Sequence, residues 1–296
     1  MHNKSTEDLE RQIADRLIEA SSTLEPSLVE ALLKMKSAYE NLVKQQDICD
    51  ERRNQLLSSL QVLTMIEENL KIAGQDKVPM CQDTGMFVVF ADIGPQCPYT
   101  MSELEQIITG GIQKAVPGGY FRHSIVEDPL FHRTNTGTNL PYVIHWRTCE
   151  HGSGSLRFLL KGFGSENCSA SRMLSPTTSP DAFIEEVTRM VIEAGGKPCP
   201  PIVVGVGVGS TAEMSGVLAK RALLREVGIH HSDEEYKNLE ERLLNSIQKT
   251  EIGPGGFGGP LTALWVAVEH MGTHIAGLPV SVAISCWADR KARVEL

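Results

Sequence analysis

Apolar residues recur at three- and four-residue steps through the first quarter of the chain, in Leu28, Ala31, Leu32 and Met35 and again in Leu56, Leu60, Leu63 and Ile66. A 3.6-residue repeat puts such positions on one stripe, so helices are expected from Thr6 to about Ala73, closed by Gly74. The pattern then changes. Met86 to Ile93 is a short apolar run typical of a buried strand, and the Pro79-containing turn before it delivers Cys81 to a loop-to-strand junction. A helix is expected from about Ser102 to Ala115, followed by a Pro117–Gly119 turn. Strand patterns at Pro141 to Arg147 and Leu156 to Lys161 can pair as a hairpin across His151-Gly152-Ser153-Gly154. Ser179 with Pro180 opens a helix with the apolar stripe Phe183, Val187, Met190 and Val191, ended by Gly195-Gly196. The strand Ile202 to Val208 runs into Ser210-x-x-Glu213, a capping-box pattern, and then a helix carrying Met214, Val217, Leu218 and Leu224. A charged helix from about Asp233 to Lys249 leads to the turn Gly253 to Gly259. Leu278, Val280, Val282 and Ile284 alternate with smaller residues, so by period two Cys286 falls on the same buried face.

No repeat and no linker composition interrupts these elements. The expectation is one α+β domain over residues 1–296, with a helical segment to about residue 75 packed on a mixed or antiparallel sheet. The chain has 296 residues, 41% of them hydrophobic, enough for a sizeable core. Its 28 Lys and Arg against 37 Asp and Glu give a net charge of −9, which makes nucleic acid and anionic membranes poor partners. No apolar stretch approaches a membrane span, and none follows a basic amino terminus, so a cytoplasmic location is expected. Seven cysteines, odd in number and widely spread, read as free thiols in a reducing compartment.

Few motifs survive inspection. Gly205-Val206-Gly207-Val208-Gly209 lacks the spacing of a dinucleotide fingerprint and reads as a tight strand-to-helix packing turn. No G-x-S-x-G elbow, C-x-x-C pair or H-E-x-x-H helix occurs. Three cysteines stand in conspicuous settings: Cys81 before Gln82-Asp83-Thr84-Gly85, Cys199 between Pro198 and Pro200-Pro201, and Cys286 in Ser285-Cys286-Trp287-Ala288. Prolines stiffen a loop, which suits a ligand that must be held in place. A small buried hydrophobe is the plain alternative for any lone cysteine, and it is the reading taken for Cys49, Cys97 and Cys149.

Cys81 to Gly85, Asn135-Thr136-Gly137-Thr138-Asn139-Leu140-Pro141, Lys161-Gly162-Phe163-Gly164-Ser165-Glu166-Asn167, Cys199-Pro200-Pro201, and Gly255 to Gly259 followed by His274 and Cys286-Trp287-Ala288 together resemble the iron–sulfur hydro-lyases. The likeness is to the alpha subunits of class I fumarate hydratase and L-tartrate dehydratase, from about residue 25 to the end. It implies the fold of the class I fumarase amino-terminal domain and a [4Fe–4S] cluster held by Cys81, Cys199 and Cys286, with one iron left open. A fourth thiolate would suit a cluster that only moves electrons, whereas an open iron can act as a Lewis acid on a leaving hydroxide. Carried over in the same way, Arg122 grips a substrate carboxylate, Gln82 and Asp83 lie at the substrate with Asp83 assisting proton transfer, His274 contacts it, and Gly164 approaches it closely.

The likeness further implies reversible hydration of fumarate to (S)-malate, with dehydration of L-tartrate to oxaloacetate as the nearest rival. Family members in one chain carry a second domain with further substrate contacts, so a separate beta subunit in a larger heteromer is expected. Two departures stand out. Phe163 lies between Gly162 and Gly164 where many relatives have a third glycine, and Cys168 offers a possible fourth ligand. A non-catalytic iron–sulfur redox or sensor module is the alternative of another class, and it gives Arg122 and His274 no part in turnover.

Overall fold

Three helices open the chain in the computed structural model, which describes residues 5–296: α1 (Thr6–Ser22), α2 (Pro26–Val43) and α3 (Asp50–Asp76). The Ser5 side chain caps α1 by accepting from the Asp8 N–H, and Pro26 starts α2, where its missing N–H is harmless. Gly74 does not close α3 as expected. The helix continues to Asp76 and stops where Lys77 turns left-handed, at φ 53°.

The described residues form two compact units, and neither is continuous in sequence. One contains residues up to 24, 69–163 and 289–296; the other contains 25–68 and 164–288. Two of the crossings fall inside helices, in α3 and in the short α5 (Phe163–Glu166), so no change of composition marks them.

In the first unit a four-stranded sheet has the order β2 (Val143–Thr148), β1 (Met86–Ile93), β3 (Gly154–Lys161), β8 (Arg290–Glu295). The expected β2–β3 hairpin does not form. β1 lies between them, parallel to β2 and antiparallel to β3. It takes the centre because it is the most apolar of the three: Phe87, Val89, Phe90 and Ala91 are wholly buried, while β2 stays half exposed. The His151–Gly154 turn is instead fastened to the end of β1, where Gly94 N–H donates to Ser153 O at 3.1 Å and Gln96 N–H to Gly152 O at 3.0 Å. α1 and α4 (Met101–Gly118) cover one face, with Leu9, Ile13, Ile108 and Ile112 packed on Phe87, Val89 and Phe158. A true capping box at Thr100 and Glu103 starts α4, and Pro117 lies inside its last turn instead of beyond it.

In the second unit the order is β4 (Ala170–Leu174), β7 (Leu278–Ser285), β5 (Ile202–Gly209), β6 (Ala263–Met271), with β5 parallel to β6 and antiparallel to β7. α6 (Pro180–Ala194) and α8 (Glu234–Gln248) pack on the face of Ile202, Val204 and Val206. The alternate positions, Gly205 and Gly207, face α7 (Ala212–Leu223), where an added Cβ would collide with the carbonyls of Ala219 and Ser215. The glycine run therefore admits a helix against a strand, as expected of a packing turn. The capping box at Ser210 does not form. Ser210 is left-handed at φ 60°, and Thr211 becomes the cap, its hydroxyl donating to Glu213 Oε1 at 2.7 Å. β7 is buried on both faces from Pro279 to Ser285 and does not alternate. Its small Ser281 meets Ser215 of α7 and Ser171 of β4, each at 2.7 Å between hydroxyls. Among the described residues, no helix is long and apolar enough to cross a membrane.

Candidate active site

In the first unit the Cys81–Gly85 turn is built almost wholly from hydrogen bonds. Asp83 accepts from Gly85 N–H through Oδ1 at 3.0 Å and from Phe163 N–H through Oδ2 at 2.7 Å, so its carboxylate is held in one orientation. Gly85, at φ 87°, lies so close to β3 that a Cβ would stand 2.8 Å from the Leu160 carbonyl carbon, a place no other residue could take. Thr84 is buried, and its hydroxyl accepts from Arg122 N–H at 3.1 Å. On the other side, buried Asn139 donates to Arg122 O at 2.7 Å and accepts from Ser124 N–H at 2.8 Å, while Asn135 donates to His123 O at 2.8 Å. The Asn135–Pro141 motif thus fixes the backbone at Arg122 while leaving its side chain exposed, beside a turn that also exposes Gln82. Gln82, Asp83 and Arg122 are brought together by these bonds.

In the second unit Cys199 and Cys286 share one end of the sheet. Val203 pairs with Ser285, so Cys286 leaves β7 where the Cys199-Pro200-Pro201 segment enters β5. Cys199 itself is left-handed at φ 56°, a conformation that costs a non-glycine residue roughly 1–2 kcal/mol. The glycine-rich turn explains how it is kept there. Gly255 N–H donates to Pro200 O at 2.7 Å, and the turn is tied in turn by Ser59, whose hydroxyl donates to Gly258 O at 2.6 Å, and by Tyr39, which donates to Pro260 O. Burial pushes the Tyr39 phenol well above its ordinary pKa, so it stays a neutral donor.

Other expected residues are placed differently. At Gly164 nothing lies within 4 Å of where a Cβ would be, so packing within the chain does not demand the glycine. Cys168, the possible fourth ligand, donates its thiol to Gly164 O at 3.4 Å. His274 is exposed on the loop between β6 and β7, its Nδ1 accepting from Ala276 N–H at 3.2 Å. The eight residues of β7 separate that loop from Cys286, roughly 26 Å at a strand's rise, so this unit does not bring His274 beside Cys199 or Cys286. None of the seven cysteines is in a disulfide; Cys49 is exposed, and Cys97 and Cys149 are half-buried. Among the described residues, no three His, Cys, Asp or Glu side chains gather as a single-ion site. Sequence reasoning passed over Arg290, which is buried and donates through Nη2 to the Asp83 carbonyl at 2.7 Å. A basic residue in a short, charged strand carries no local sign of burial.

The family model for fumarate hydratase (Fumerase) matches residues 11–295. The chain belongs to this family. It is therefore a hydro-lyase, and all five motifs that carried the resemblance fall within the matched stretch. A Methanocaldococcus jannaschii protein with the provisional name L(+)-tartrate dehydratase subunit alpha is 43% identical over 247 residues, 80% of this chain and 86% of that protein. The L(+)-tartrate dehydratase subunit alpha of Escherichia coli strain K12 is 28% identical over 228 residues, covering 76% of this chain and 74% of its own length. The protein of that name from Shigella boydii is equally similar.

Proposed function

We propose that this hydro-lyase is the alpha subunit of an iron–sulfur fumarate hydratase, interconverting fumarate and (S)-malate together with a separate beta subunit. The observation that carries the reading is the Cys81–Gly85 turn, with the Asp83 carboxylate locked by two backbone N–H groups beside exposed Gln82 and a backbone-anchored Arg122. The alpha-subunit names of the relatives support the partner.

Cys81, Cys199 and Cys286 are the residues that would hold a [4Fe–4S] cluster. Their donor chemistry suits one: all three are thiols outside any disulfide, none is fully buried, and Cys199 is kept in a strained backbone. When bound, such a cluster supplies an iron without a protein ligand, a Lewis acid for the hydroxyl that leaves malate. The chain's own residues do the rest. The planar guanidinium of Arg122 holds one carboxylate of the dianion, and Gln82 contributes a neutral hydrogen bond. Asp83, with one lone pair of each oxygen already engaged, assists the proton at the carbon next to the carboxylate. Gly164, open where a side chain would stand, leaves its backbone accessible to substrate. His274, on the exposed loop between β6 and β7, is assigned the substrate contact that the resemblance implies.

Dehydration of L-tartrate is a second reading, favoured by the names of the relatives. Steady-state assays of the alpha–beta complex with fumarate, malate and L-tartrate decide between them. A higher kcat/KM on fumarate and malate is expected, and a higher value on L-tartrate overturns the choice.

A further inference from the structure

The first unit hides charge that this scheme does not use. Lys161, ending β3, and Arg290, opening β8, are each only 1% exposed. A buried cation is costly unless its donors are met, so their partners matter. Arg290 Nη2 donates to the Asp83 carbonyl at 2.7 Å, while its Nε and Nη1 are buried without a hydrogen-bond partner. Lys161 Nζ donates to Gly162 O at 3.1 Å, and the next N–H along, that of Phe163, is the one Asp83 Oδ2 accepts. A Cβ on Gly162 would lie 3.4 Å from Asp83 Oδ2 and 3.7 Å from Arg290 Nη2, so carboxylate, guanidinium and glycine peptide crowd one small volume. The carboxylate next to Arg290 in sequence pairs with another cation: Asp289 Oδ2 lies 3.2 Å from Lys291 Nζ. The negative group that faces Arg290 across Gly162 is Asp83.

We propose that Arg290 is a positioning residue of the active site. Its guanidinium clamps the Cys81–Gly85 turn by the Asp83 carbonyl and sets a fixed positive charge near the Asp83 carboxylate. Lys161 braces the Gly162–Phe163 peptide that the same carboxylate uses. Arg290 does not touch substrate. It keeps Asp83 in one place, as outer partners do for the groups that perform the chemistry. The inference rests on the reading of Asp83 as the proton-handling residue.

The test uses the full chain with its partner and compares wild type with Arg290→Gln and Arg290→Lys. In Arg290→Gln, hydrogen exchange at the Gly85 and Phe163 amides is expected to quicken about tenfold while Val89 in β1 keeps its protection. In the same variant kcat should fall roughly 10- to 100-fold, with KM for the dicarboxylate within about threefold of wild type. Arg290→Lys keeps the charge but not the fork and should fall between the two. If Arg290→Gln does not fold, the lysine variant carries the test through the same amides and the same kcat. Unchanged exchange at Gly85 and Phe163 overturns the proposal, as does a raised KM at unchanged kcat, which would make Arg290 a substrate contact. Full wild-type behaviour of Arg290→Lys overturns it too. If wild type shows no hydro-lyase turnover, the reading of Asp83 fails, and the exchange data alone decide whether Arg290 holds the turn.

Discussion

The two sheets share a plan, a parallel strand pair extended by antiparallel neighbours, and each carries candidate cysteines at a strand end; the two ends are nevertheless held by different forces. The turn bearing Cys81 is held by polarity: the Asp83 carboxylate, the Thr84 hydroxyl, Asn139 and buried Arg290 each meet a backbone group. The end bearing Cys199 and Cys286 adds shape to its hydrogen bonds, among them Gly255 N–H to Pro200 O. Prolines flank Cys199, and a Cβ on Gly256 of the glycine-rich turn would stand 2.8 Å from Gly196 Cα; further along β5, Gly205 and Gly207 admit α7 in the same way. A polar hold fails when a donor or acceptor is removed, because the abandoned partner stays buried; a steric hold fails when a methyl group is added.

The contrast is broken most severely through the cysteines. Cys81→Ser, Cys199→Ser and Cys286→Ser should each abolish the cluster, read as iron and sulfide per chain after anaerobic reconstitution, with Cys49→Ser as the unaffected control. A Cys81→Ser chain with a full complement of iron would mean that the second unit binds metal by itself. Next in size is Gly207→Ala, which drives a methyl into the Ser215 carbonyl. It should cost roughly 3 kcal/mol in denaturant unfolding, and a loss too small to measure would show that α7 shifts freely on its strand.

Arg122→Ala should leave the cluster absorbance intact and cost about 2 kcal/mol of dicarboxylate binding, a KM raised some 30-fold, since the change removes a charged hydrogen-bonding group. Unchanged kinetics there would favour the redox or sensor module. The smallest effect concerns the loop after Arg122, where Asp128 accepts from the N–H groups of Leu130, Phe131 and His132. Those bonds, that of Leu130 foremost, hold its carboxyl below the usual aspartate range. A depressed folded value means that the hold is complete above the ordinary aspartate pKa and is lost as pH falls through the folded one. Amide exchange at Leu130 and Phe131 should quicken over that acid window, and Asp128→Ala should give the fast rate at every pH.

Legibility followed the range of the interactions. β1 runs from Met86 to Ile93 as its apolar run foretells, and α6 and α8 start beside Ser179 and Asp233, because a strand's composition and a cap's chemistry act within a few residues. β8 and β4 left no signal. Arg290 and Lys291 make β8 look like solvated surface, and the hydrogen bond that ties buried Arg290 to the Asp83 carbonyl is remote in sequence. The hairpin failed because two strands close in sequence lost a competition to a more apolar third. The motif residues Gln82, Asp83 and Arg122 could be named from the chain, and the strand pattern from Leu278 to Ile284 already put a strand's length between His274 and Cys286, although the resemblance assigned both to one site.

The amino-acid order alone determined the α+β class, most helices, the central strands and the motifs that mark a hydro-lyase, since periodicity and turn chemistry are properties of neighbouring residues. Strand order, the interleaving of two units and the burial of Arg290 against a carbonyl 207 residues away were decided only in three dimensions. Those outcomes depend on which distant surfaces exclude water together, and that competition is settled by the whole chain.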